Sequence, residues 1–238
     1  MYDQETIGQG TFYTGDCFEV MRDLPDGSVD MVLCDLPYGT TQNKWDSVLP
    51  FDDLWSEYLR LCKPNAILAL TASQPFSSAL VMSNMKLFKH EWVWIKNRGS
   101  NFANTVREPM KEHESVLVFS KGKWTYNKQM QERTGGGVAA AGKQNSRGGF
   151  CSPRNYGAGN TERMTAVLPK LRVPSSWQKF NCEVGIHPNQ KPVALFEYLI
   201  RTYTDEDMVV LDNTAGSGTT AVAAENAGRR WICIERES

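Results

Sequence analysis

The sequence predicts an α/β fold in which a mostly parallel, doubly wound sheet carries an inserted basic, loop-rich segment. Three observations lead to this prediction. Short apolar runs of strand length alternate with helical patterns over much of the 238-residue chain. Two of these runs end at a carboxylate, Asp35 and Asp212, and each is followed by a glycine-containing turn. Between the two turns lies a stretch that is rich in glycine and basic residues and shows no periodicity.

The composition, 41% hydrophobic and 22% charged, is that of a globular chain long enough for one large core. We therefore expect one domain with an insertion rather than two domains. No apolar run approaches the roughly 20 residues of a membrane span, and the amino terminus lacks a signal-peptide pattern, so we expect a cytoplasmic protein. The six cysteines are scattered and lie apart from the three histidines, which predicts reduced thiols and no metal site.

The amino-terminal half alternates predicted strands and helices. A strand-like stretch ends just before Gly15 and Asp16. Residues 31–34 have the length and character of a buried parallel strand. Residues 51–62 carry apolar side chains at intervals of three and four, which predicts an amphipathic helix closed by Pro64. We further predict a strand at 66–71, a helix from 73 to about 85, and strands at 91–96 and 115–119.

The central strand stops at Asp35, and the chain must turn there because Pro37 fixes φ and Gly39 permits a sharp exit. Ligands bind at this carboxyl edge in open α/β sheets. The carboxylate of Asp35 and the carbonyl of Leu36 are suited to accepting both hydrogens of a planar exocyclic amine, and Tyr38 offers a ring face to an extruded base. An ordinary strand followed by a Pro-Tyr-Gly turn explains the same residues, so this motif alone leaves both interpretations open.

The carboxyl-terminal part places glycines between a strand and a helix. Its features are, in order, H-P-N-Q-K-P at 187–192 leading into a helix, a strand at 208–211 ending at Asp212, a small-residue helix at 221–227 and a strand at 231–234. Gly216 and Gly218 let a ligand approach the backbone, and the following helix terminus offers donors. Glu235, about 20 residues further on, is suited to holding ribose hydroxyls. This order favours a nucleoside-cofactor site over a chance α/β turn.

Residues 121–186 form a basic segment on an acidic chain. Eleven Lys and Arg against three Glu give this segment a charge of +8, whereas the whole chain carries −1. Six of the fifteen residues 135–149 are Gly, so this stretch is not core. Its charge suggests a footprint for a polyanion, with a solvated basic loop as the alternative. The candidate contacts are Lys121, Lys143, Arg147 and Arg154.

Three motifs together resemble a known family. D-L-P-Y-G at 35–39, H-P-N-Q-K-P at 187–192 and G-S-G-T-T at 216–220 resemble the permuted, β-type amino-methyltransferases, which modify adenine N6 or cytosine N4 in DNA. The resemblance covers about residues 12–119 and 187–235, with the catalytic half first. It implies a Rossmann-like methyltransferase fold, S-adenosylmethionine as cofactor and double-stranded DNA as partner. It divides the chain into a catalytic half (1–120), a DNA target-recognition insertion (121–186) and a cofactor-binding half (187–238).

The resemblance also implies roles for individual residues. In the family, the acid and the following carbonyl of the D-x-P-Y motif bind the target amine, and the aromatic residue stacks the flipped base. This assigns catalysis to Asp35, Leu36, Pro37 and Tyr38. The implied cofactor contacts are Asp16 and Cys17 beside the adenine ring, Glu235 on the ribose, Asp212, Asn213, Gly216, Gly218 and Thr219 in the methionine-side loop, and Gln190, Lys191 and Pro192 closing over the methionine part.

The sequence departs from the family pattern at three places. Leu36 replaces the usual first proline, residues 213–215 replace the common Pro-Phe-Met, and the chain stops at Ser238, where the family adds another helix. An acidic first residue in x-x-P-Y is usual for adenine, so we expect adenine N6 as the target. Cytosine N4 is the alternative, and a silent DNA-binding partner subunit and an enzyme acting on RNA or a protein amide also stay open. Related β-type enzymes are often dimers, which leaves a homodimer open.

Overall fold

The computed structural model of the chain describes residues 2–43, 46–132, 171–183 and 190–236. The chain divides into two compact units, one formed by Met1–Asn127 with Ser176–Ser238 and the other by Lys128–Ser175. By compactness, residues 121–127 and 176–183 belong to the first unit. The target-recognition insertion expected at 121–186 stays a prediction.

The first unit is built on one large sheet. Its strands are β1 (Asp3–Ile7), β2 (Gly10–Thr14), β3 (Val29–Cys34), β4 (Cys62–Ala72), β5 (Phe88–Ser100), β6 (Lys111–Ser120), β9 (Trp177–Lys179), β10 (Val209–Asp212) and β11 (Arg230–Glu235). Among the described residues they form nine strands in the order β1-β2-β11-β10-β3-β4-β6-β5-β9. Five of the eight neighbouring pairs are parallel. The three antiparallel pairs are β1 with β2 at one end of the sheet, and β6 with each of its neighbours, β4 and β5, towards the other end. The predicted mostly parallel sheet is thereby confirmed.

Helices cover both faces of this sheet. They are α1 (Cys17–Asp23), α2 (Phe51–Leu61), α3 (Phe76–Ser83), α4 (Val193–Tyr203) and α5 (Thr219–Asn226). The first three helices contribute to one hydrophobic core and the last two to another. Two cores on opposite faces are the packing of a doubly wound sheet, which confirms the fold class expected from the sequence.

The central strand β3 belongs to both cores. Val32 and Cys34 pack in the core of the first three helices, whereas Met31 and Leu33 pack in the other. All four side chains are fully buried. Successive side chains of a strand point to opposite faces, so a strand covered on both sides needs an unbroken apolar run. Each large side chain buried in this way stabilises the fold by roughly 1.5 to 3 kcal/mol.

The strand order reverses beside β3. The chain leaves β3 towards β4 on one side, and it leaves the neighbouring strand β10 towards β11 on the other. Because β3 and β10 are parallel, their carboxyl ends open into the same crevice, where open α/β sheets bind ligands. Asp35 and Asp212 therefore lie at the rim of one crevice.

The second unit contains a short antiparallel pair, β7 (Gln131–Glu132) with β8 (Leu171–Arg172). Next to it, Arg172 Nη1 donates a 2.9 Å hydrogen bond to Ser175 Oγ. The candidate DNA contacts Lys143, Arg147 and Arg154 lie outside the described residues.

Candidate active site

Within the described part of the chain, three side chains hold the carboxylate of Asp35. Tyr38 donates its hydroxyl to Oδ1 at 2.9 Å, and the hydroxyl of Thr71 donates a short hydrogen bond to the same oxygen. The ammonium of Lys191 lies 2.8 Å from Oδ2. The Asp35 side chain nevertheless keeps 30% of its surface exposed, so it is fixed in place and still reachable from the crevice.

Lys191 connects Asp35 to a second carboxylate. Its ammonium lies 3.1 Å from Glu114 Oε2, and Lys96 forms a short ion pair with Glu114 Oε1. Burial alone would raise the pKa of Glu114, but the charges of Lys191 and Lys96 lower that pKa below its ordinary value. Burial would lower the pKa of Lys191, but the two carboxylates raise it above its ordinary value. All four groups thus form one alternating row of charges from Asp35 to Lys96.

Tyr38 is fixed at both ends of its side chain. Its ring stacks on Phe76, with centroids 5.2 Å apart and an interplanar angle of 26°. The Lys191 ammonium lies 5.5 Å from the centroid of the same ring. Burial and the neighbouring charge of Asp35 raise the pKa of Tyr38 well above its ordinary value, so the ring is a neutral phenol. Phe76, the first residue of α3, therefore backs the aromatic side of the Asp35 corner.

The backbone around this corner is also anchored. The side chain of Leu36 is buried in the core, and Pro37 is half-buried beside it. The buried carboxylate of Asp46 accepts hydrogen bonds from the backbone of Gly39, Thr40 and Thr41 at 2.8, 2.9 and 2.6 Å. The loop that leaves Tyr38 is thus tied back on itself.

A second carboxylate lies at the end of β10. Asp212 is buried and accepts hydrogen bonds from the Thr214 backbone at 3.0 Å and from the Thr220 hydroxyl. Burial raises the pKa of Asp212 to about 7, against the lowering effect of those two donors. Next to it, Asn213 Oδ1 accepts from Tyr58 at 2.6 Å and from the Cys34 thiol at 3.3 Å.

The loop between β10 and α5 leaves room above its backbone. Gly216 and Gly218 have φ values of 51° and 77°, which only glycine adopts easily. Nothing lies within 4 Å of the place where a Cβ on either residue would sit. A ligand can therefore approach this backbone, and the amino terminus of α5, which begins at Thr219, offers it donors.

Glu235 joins this glycine loop to the end of β2. Its Oε2 accepts from the Gly216 backbone at 2.6 Å, and its own carbonyl accepts from the Gly15 backbone at 2.9 Å. The next residue, Asp16, caps α1 by accepting from the Phe18 and Glu19 backbone at 3.0 and 3.2 Å. Asp16 and Glu235 thus stand on adjacent strand ends beside the open loop. Burial raises the pKa of the adjacent Cys17 to about 11, so that side chain is a neutral thiol.

Hydrogen bonds join the glycine loop to the Asp35 corner. Thr214 Oγ1 donates to the carbonyl of Asp35 at 3.1 Å, and Thr219 Oγ1 donates to the carbonyl of Lys191 at 3.4 Å. Motifs about 180 residues apart are therefore connected within one crevice. The acids and the open loop suit a nucleoside cofactor with an amino-acid end, since carboxylates accept hydroxyl and amine hydrogens and a helix terminus donates to a carboxylate.

The segment before α4 is held by a residue that no sequence motif indicated. Glu183 accepts from Gln190 Nε2 at 3.2 Å and from the Val193 backbone at 3.0 Å. Pro192 is the cap residue of α4. Gln190 and Pro192 thus form the entry to the helix, while Lys191 between them reaches Asp35.

Lys121 has a different environment from the one expected of a DNA contact. Its ammonium donates to the carbonyls of Leu59 at 2.6 Å and Cys62 at 2.9 Å. These carbonyls lie at the carboxyl end of α2, where a cation satisfies unpaired acceptors and the helix dipole. These contacts give Lys121 a helix-capping role, which is an alternative to the predicted contact with DNA.

The described ranges lack two other kinds of feature. Within them, no three His, Cys, Asp or Glu side chains come together as a metal site would require. No helix in those ranges is both long enough and apolar enough to span a bilayer.

Comparison with known proteins identifies the chain. The sequence model of the DNA methylase family matches residues 29–238, which include both strand-end motifs and the glycine loop. The chain belongs to the DNA methylase family. The family expected from the three sequence motifs is thereby confirmed.

Type II methyltransferases are among the relatives of this DNA methylase. M1.MboII of Moraxella bovis is 27% identical over 240 residues, which cover 91% of this chain and 87% of the relative. M.BamHI of Bacillus amyloliquefaciens is 26% identical over 240 residues and 95% of this chain. The chain spans only 54% of the length of M.BamHI.

Solved structures share the fold. The complex of M1.HpyAVI with SAM is 24% identical, with a TM-score of 0.61, and the match covers 95% of this chain and 93% of that one. The cytosine-N4-specific PvuII DNA methyltransferase is 17% identical, with a TM-score of 0.66, and the match covers 98% of this chain and 83% of that one. At these identities the likeness concerns the fold, and it includes an N4-specific enzyme.

Proposed function

We propose that this DNA methylase transfers the methyl group of S-adenosylmethionine to the N6 amino group of adenine in double-stranded DNA, after the base is flipped out of the helix. The observation that carries the proposal is the Asp35 corner, whose carbonyl accepts from Thr214 in the glycine loop at 3.1 Å. An acceptor for an amine thus stands next to a loop suited to the cofactor. Proximity of this kind is what a transfer between two bound molecules needs.

The hydrogen-bond capacity of Asp35 supports binding of an amine. A carboxylate offers about four acceptor positions. Tyr38 and Thr71 both donate to Oδ1, and among the described residues Lys191 is the one side chain that reaches Oδ2. One position on Oδ2 therefore remains for a hydrogen of the target amine, and the Leu36 carbonyl is the proposed acceptor for the other.

These two acceptors direct the reaction at nitrogen. The lone pair of an adenine amine is delocalised into the ring, so the amine is a poor nucleophile. Acceptors that hold both hydrogens favour a more tetrahedral nitrogen whose lone pair points at the methyl carbon. Transfer of the methyl group from sulfur to nitrogen would leave a neutral sulfide and a positive nitrogen. The charge of Asp35 would stabilise that nitrogen until one of its protons passes to solvent water.

The cofactor would supply a methyl group on a positively charged sulfur. In this proposal Glu235 accepts the ribose hydroxyls and Asp16 accepts from the adenine ring. The open backbone at Gly216 and Gly218 and the amino terminus of α5 face the methionine part. Tyr38 packs against the flipped base, with Phe76 supporting its ring.

Adenine is favoured over cytosine by the acid at residue 35, since the family resemblance associates an acidic first residue in x-x-P-Y with adenine. The test is incubation of the purified protein with labelled S-adenosylmethionine and unmethylated genomic DNA, followed by nucleoside analysis. We expect labelled N6-methyladenine. Labelled N4-methylcytosine would show that the target is cytosine and not adenine.

A parallel incubation with total RNA separates the remaining possibilities. Label in RNA but not in DNA would overturn the choice of DNA. DNA retention on a filter without any labelled nucleoside, at several ionic strengths, would indicate a catalytically silent DNA-binding subunit. The intact set of Asp35, Pro37 and Tyr38 supports an active enzyme over that alternative.

A further inference from the structure

A hairpin extends past the catalytic edge of the sheet. Strand β4 ends at Ala72, which pairs with Ser115 of β6, but β5 and β6 stay paired as far as Ser100 and Lys111. The four residues from Ser115 back to Lys111 span about 13 Å at the rise of a strand. The turn at residues 101–110, here called the hairpin tip, therefore stands beyond the rim that carries Asp35.

The hairpin stem passes directly beside the catalytic corner. Glu114, one residue from the end of the β4 pairing, lies 3.1 Å from the Lys191 ammonium that also contacts Asp35. From Glu114 the strand runs three residues to the base of the tip, about 10 Å away. A duplex presenting one base to Asp35 would meet this tip with the neighbouring base pairs.

The tip has a definite fold of its own. Asn101, at a left-handed φ of 62°, accepts from the Lys111 backbone at 2.9 Å and donates to Glu108 at 2.9 Å. A short 3₁₀ turn, Phe102–Asn104, follows, and the Arg107 backbone donates to the Asn104 carbonyl at 2.9 Å. The tip is therefore closed by its own hydrogen bonds and does not depend on the core for its shape.

This folded tip presents apolar side chains to solvent. Phe102 is 78% exposed and Val106 is 92% exposed. A structured turn that leaves a large aromatic side chain in water gains nothing from it in the free protein. Exposed apolar groups on an ordered element are typical of a contact surface.

The charge around the tip matches a polyanion. From residue 98 to residue 111 the chain carries Arg98, Arg107 and Lys111 against Glu108, a net +2. All three basic side chains are exposed, and Glu108, which is also exposed, accepts a hydrogen bond from Asn101. This positive patch lies on the unit whose remainder is acidic, so charge favours a nucleic acid over a second copy of the chain.

We propose that the hairpin tip is a wedge that enters duplex DNA beside the target base, which deepens and rests on the proposed function. Phe102 and Val106 insert at the step that the flipped base leaves, and Arg98, Arg107 and Lys111 contact the flanking phosphates. Apolar side chains that insert between base steps compensate for unstacking, and this lowers the cost of presenting the base to Asp35.

The test compares paired and mispaired substrates. The sequence that the parent protein modifies is first mapped by long-read sequencing of methylated genomic DNA, and two duplexes are then made, one with the target base paired and one with it mispaired. We expect the double variant Phe102→Ala, Val106→Ala to lose about 10- to 100-fold in single-turnover transfer on the paired duplex. On the mispaired duplex, whose target is already unstacked, the loss should be within about threefold.

Met85→Ala is the matched control. Met85 is an apolar side chain that is 62% exposed, but it lies before the first residue of β5, at the other end of that strand from the tip. Its rates should equal those of the parent on both duplexes. Equal loss on both duplexes, parental rates on both, or loss of self-association as the only effect would overturn the wedge. Absence of transfer by the parent protein would instead count against the proposed function, so the two failures are distinguishable.

Discussion

The Lys191 ammonium lies 2.8 Å from Asp35 Oδ2, on the carboxylate assigned to the target amine. It donates to this oxygen as an incoming amino group would, and it leaves room for one further donor there. The sequence motif predicts that Lys191 closes over the methionine part of the cofactor, and this stays a prediction. Its ion pairs also make it part of the Asp35 corner, where it balances the charges of two carboxylates.

We expect Lys191→Met to lower the free energy of unfolding by about 2 to 3 kcal/mol, because removing the central cation leaves Asp35 and Glu114 facing each other with less compensation. The partial exposure of Asp35 places the effect at the lower end for a buried ion pair. Urea unfolding at neutral pH measures it. The double variant Lys191→Met, Glu114→Gln should recover part of the loss, and a single variant as stable as the parent would contradict this account.

Glu235 connects the proposed ribose site to the glycine loop through Gly216. We expect Glu235→Ala to weaken S-adenosylmethionine binding by about 10- to 150-fold, since a hydrogen bond to a charged group contributes roughly 1.5 to 3 kcal/mol. Titration calorimetry measures the affinity. The affinity of Glu235→Gln should fall between those of the parent and of Glu235→Ala, because the amide oxygen can still accept from Gly216.

Glu206→Ala, which alters an exposed carboxylate in the turn before β10, is the control for the loss of one charge. Its affinity should match that of the parent. An affinity of Glu235→Ala equal to that of Glu206→Ala would remove Glu235 from the cofactor site.

Asp212 should give the protein a pH-dependent stability. Burial raises its pKa to about 7, whereas the unfolded chain releases the same proton near 4. Between these pH values the folded state binds more protons than the unfolded state, so stability falls as pH rises, by about 4 kcal/mol over the whole interval. Asp212→Asn has no such proton, and its stability relative to the parent should therefore increase from pH 4 to pH 7.

Urea unfolding of both proteins across this interval provides the difference, which cancels the contributions of other carboxylates. A constant difference between Asp212→Asn and the parent would mean that Asp212 is ionised throughout.

Basic residues of the second unit should contribute to DNA binding, whereas Lys121, which caps α2, should not. Replacing Lys143, Arg147 and Arg154 with Gln should weaken DNA binding and reduce the dependence of log K on log salt by about 0.9 for each phosphate that is no longer bound. Lys121→Gln should leave this slope unchanged and lower stability, because its ammonium binds carbonyls at the end of α2. Fluorescence anisotropy at several salt concentrations measures the slopes, and an unchanged slope in the triple variant would indicate a solvated loop.

Local patterns in the sequence predict the strand ends and helices that carry the site. The run at residues 31–34 indicates a strand buried on both faces, and β3 has alternate side chains in two cores. The period of residues 51–62 predicts α2, which spans Phe51–Leu61. Polar, exposed strands leave no such pattern, which is why β1, whose five residues are all exposed, was not predicted.

Contacts between distant side chains could not be predicted in the same way. Thr71, Glu114 and Phe76 support the Asp35 corner, yet each lies in an element whose local pattern indicates only a strand or a helix. Their roles depend on the sheet order, which places β6 beside β4. This order brings Lys191 between the carboxylates of Asp35, at the end of β3, and Glu114, in β6. The acid Glu114, two residues before the buried apolar run that begins at Val116, is a signal that suggests a buried partner, but Glu112 gives the same signal and is exposed.

Asp35 itself provides the most direct test of the chemistry. Because its carboxylate is the side-chain acceptor proposed for the target amine, we expect Asp35→Ala to abolish methyl transfer to DNA while S-adenosylmethionine binding stays near that of the parent. Asp53→Ala is the control for removal of an exposed carboxylate and should retain full activity. Transfer is measured with labelled cofactor at saturating DNA, and binding by calorimetry.

Two further substitutions separate the parts of this corner. Asp35→Asn keeps one acceptor oxygen, so a slow reaction should survive, although Lys191 loses the charge that it now contacts at 2.8 Å. Tyr38→Ala should lose about 1 to 3 kcal/mol of base stacking and leave a slow enzyme, because the hydrogens of the amine are still held. If Asp35→Ala transferred methyl groups at the parental rate, the amine would be bound elsewhere, and the three side chains on this carboxylate would only stabilise a turn.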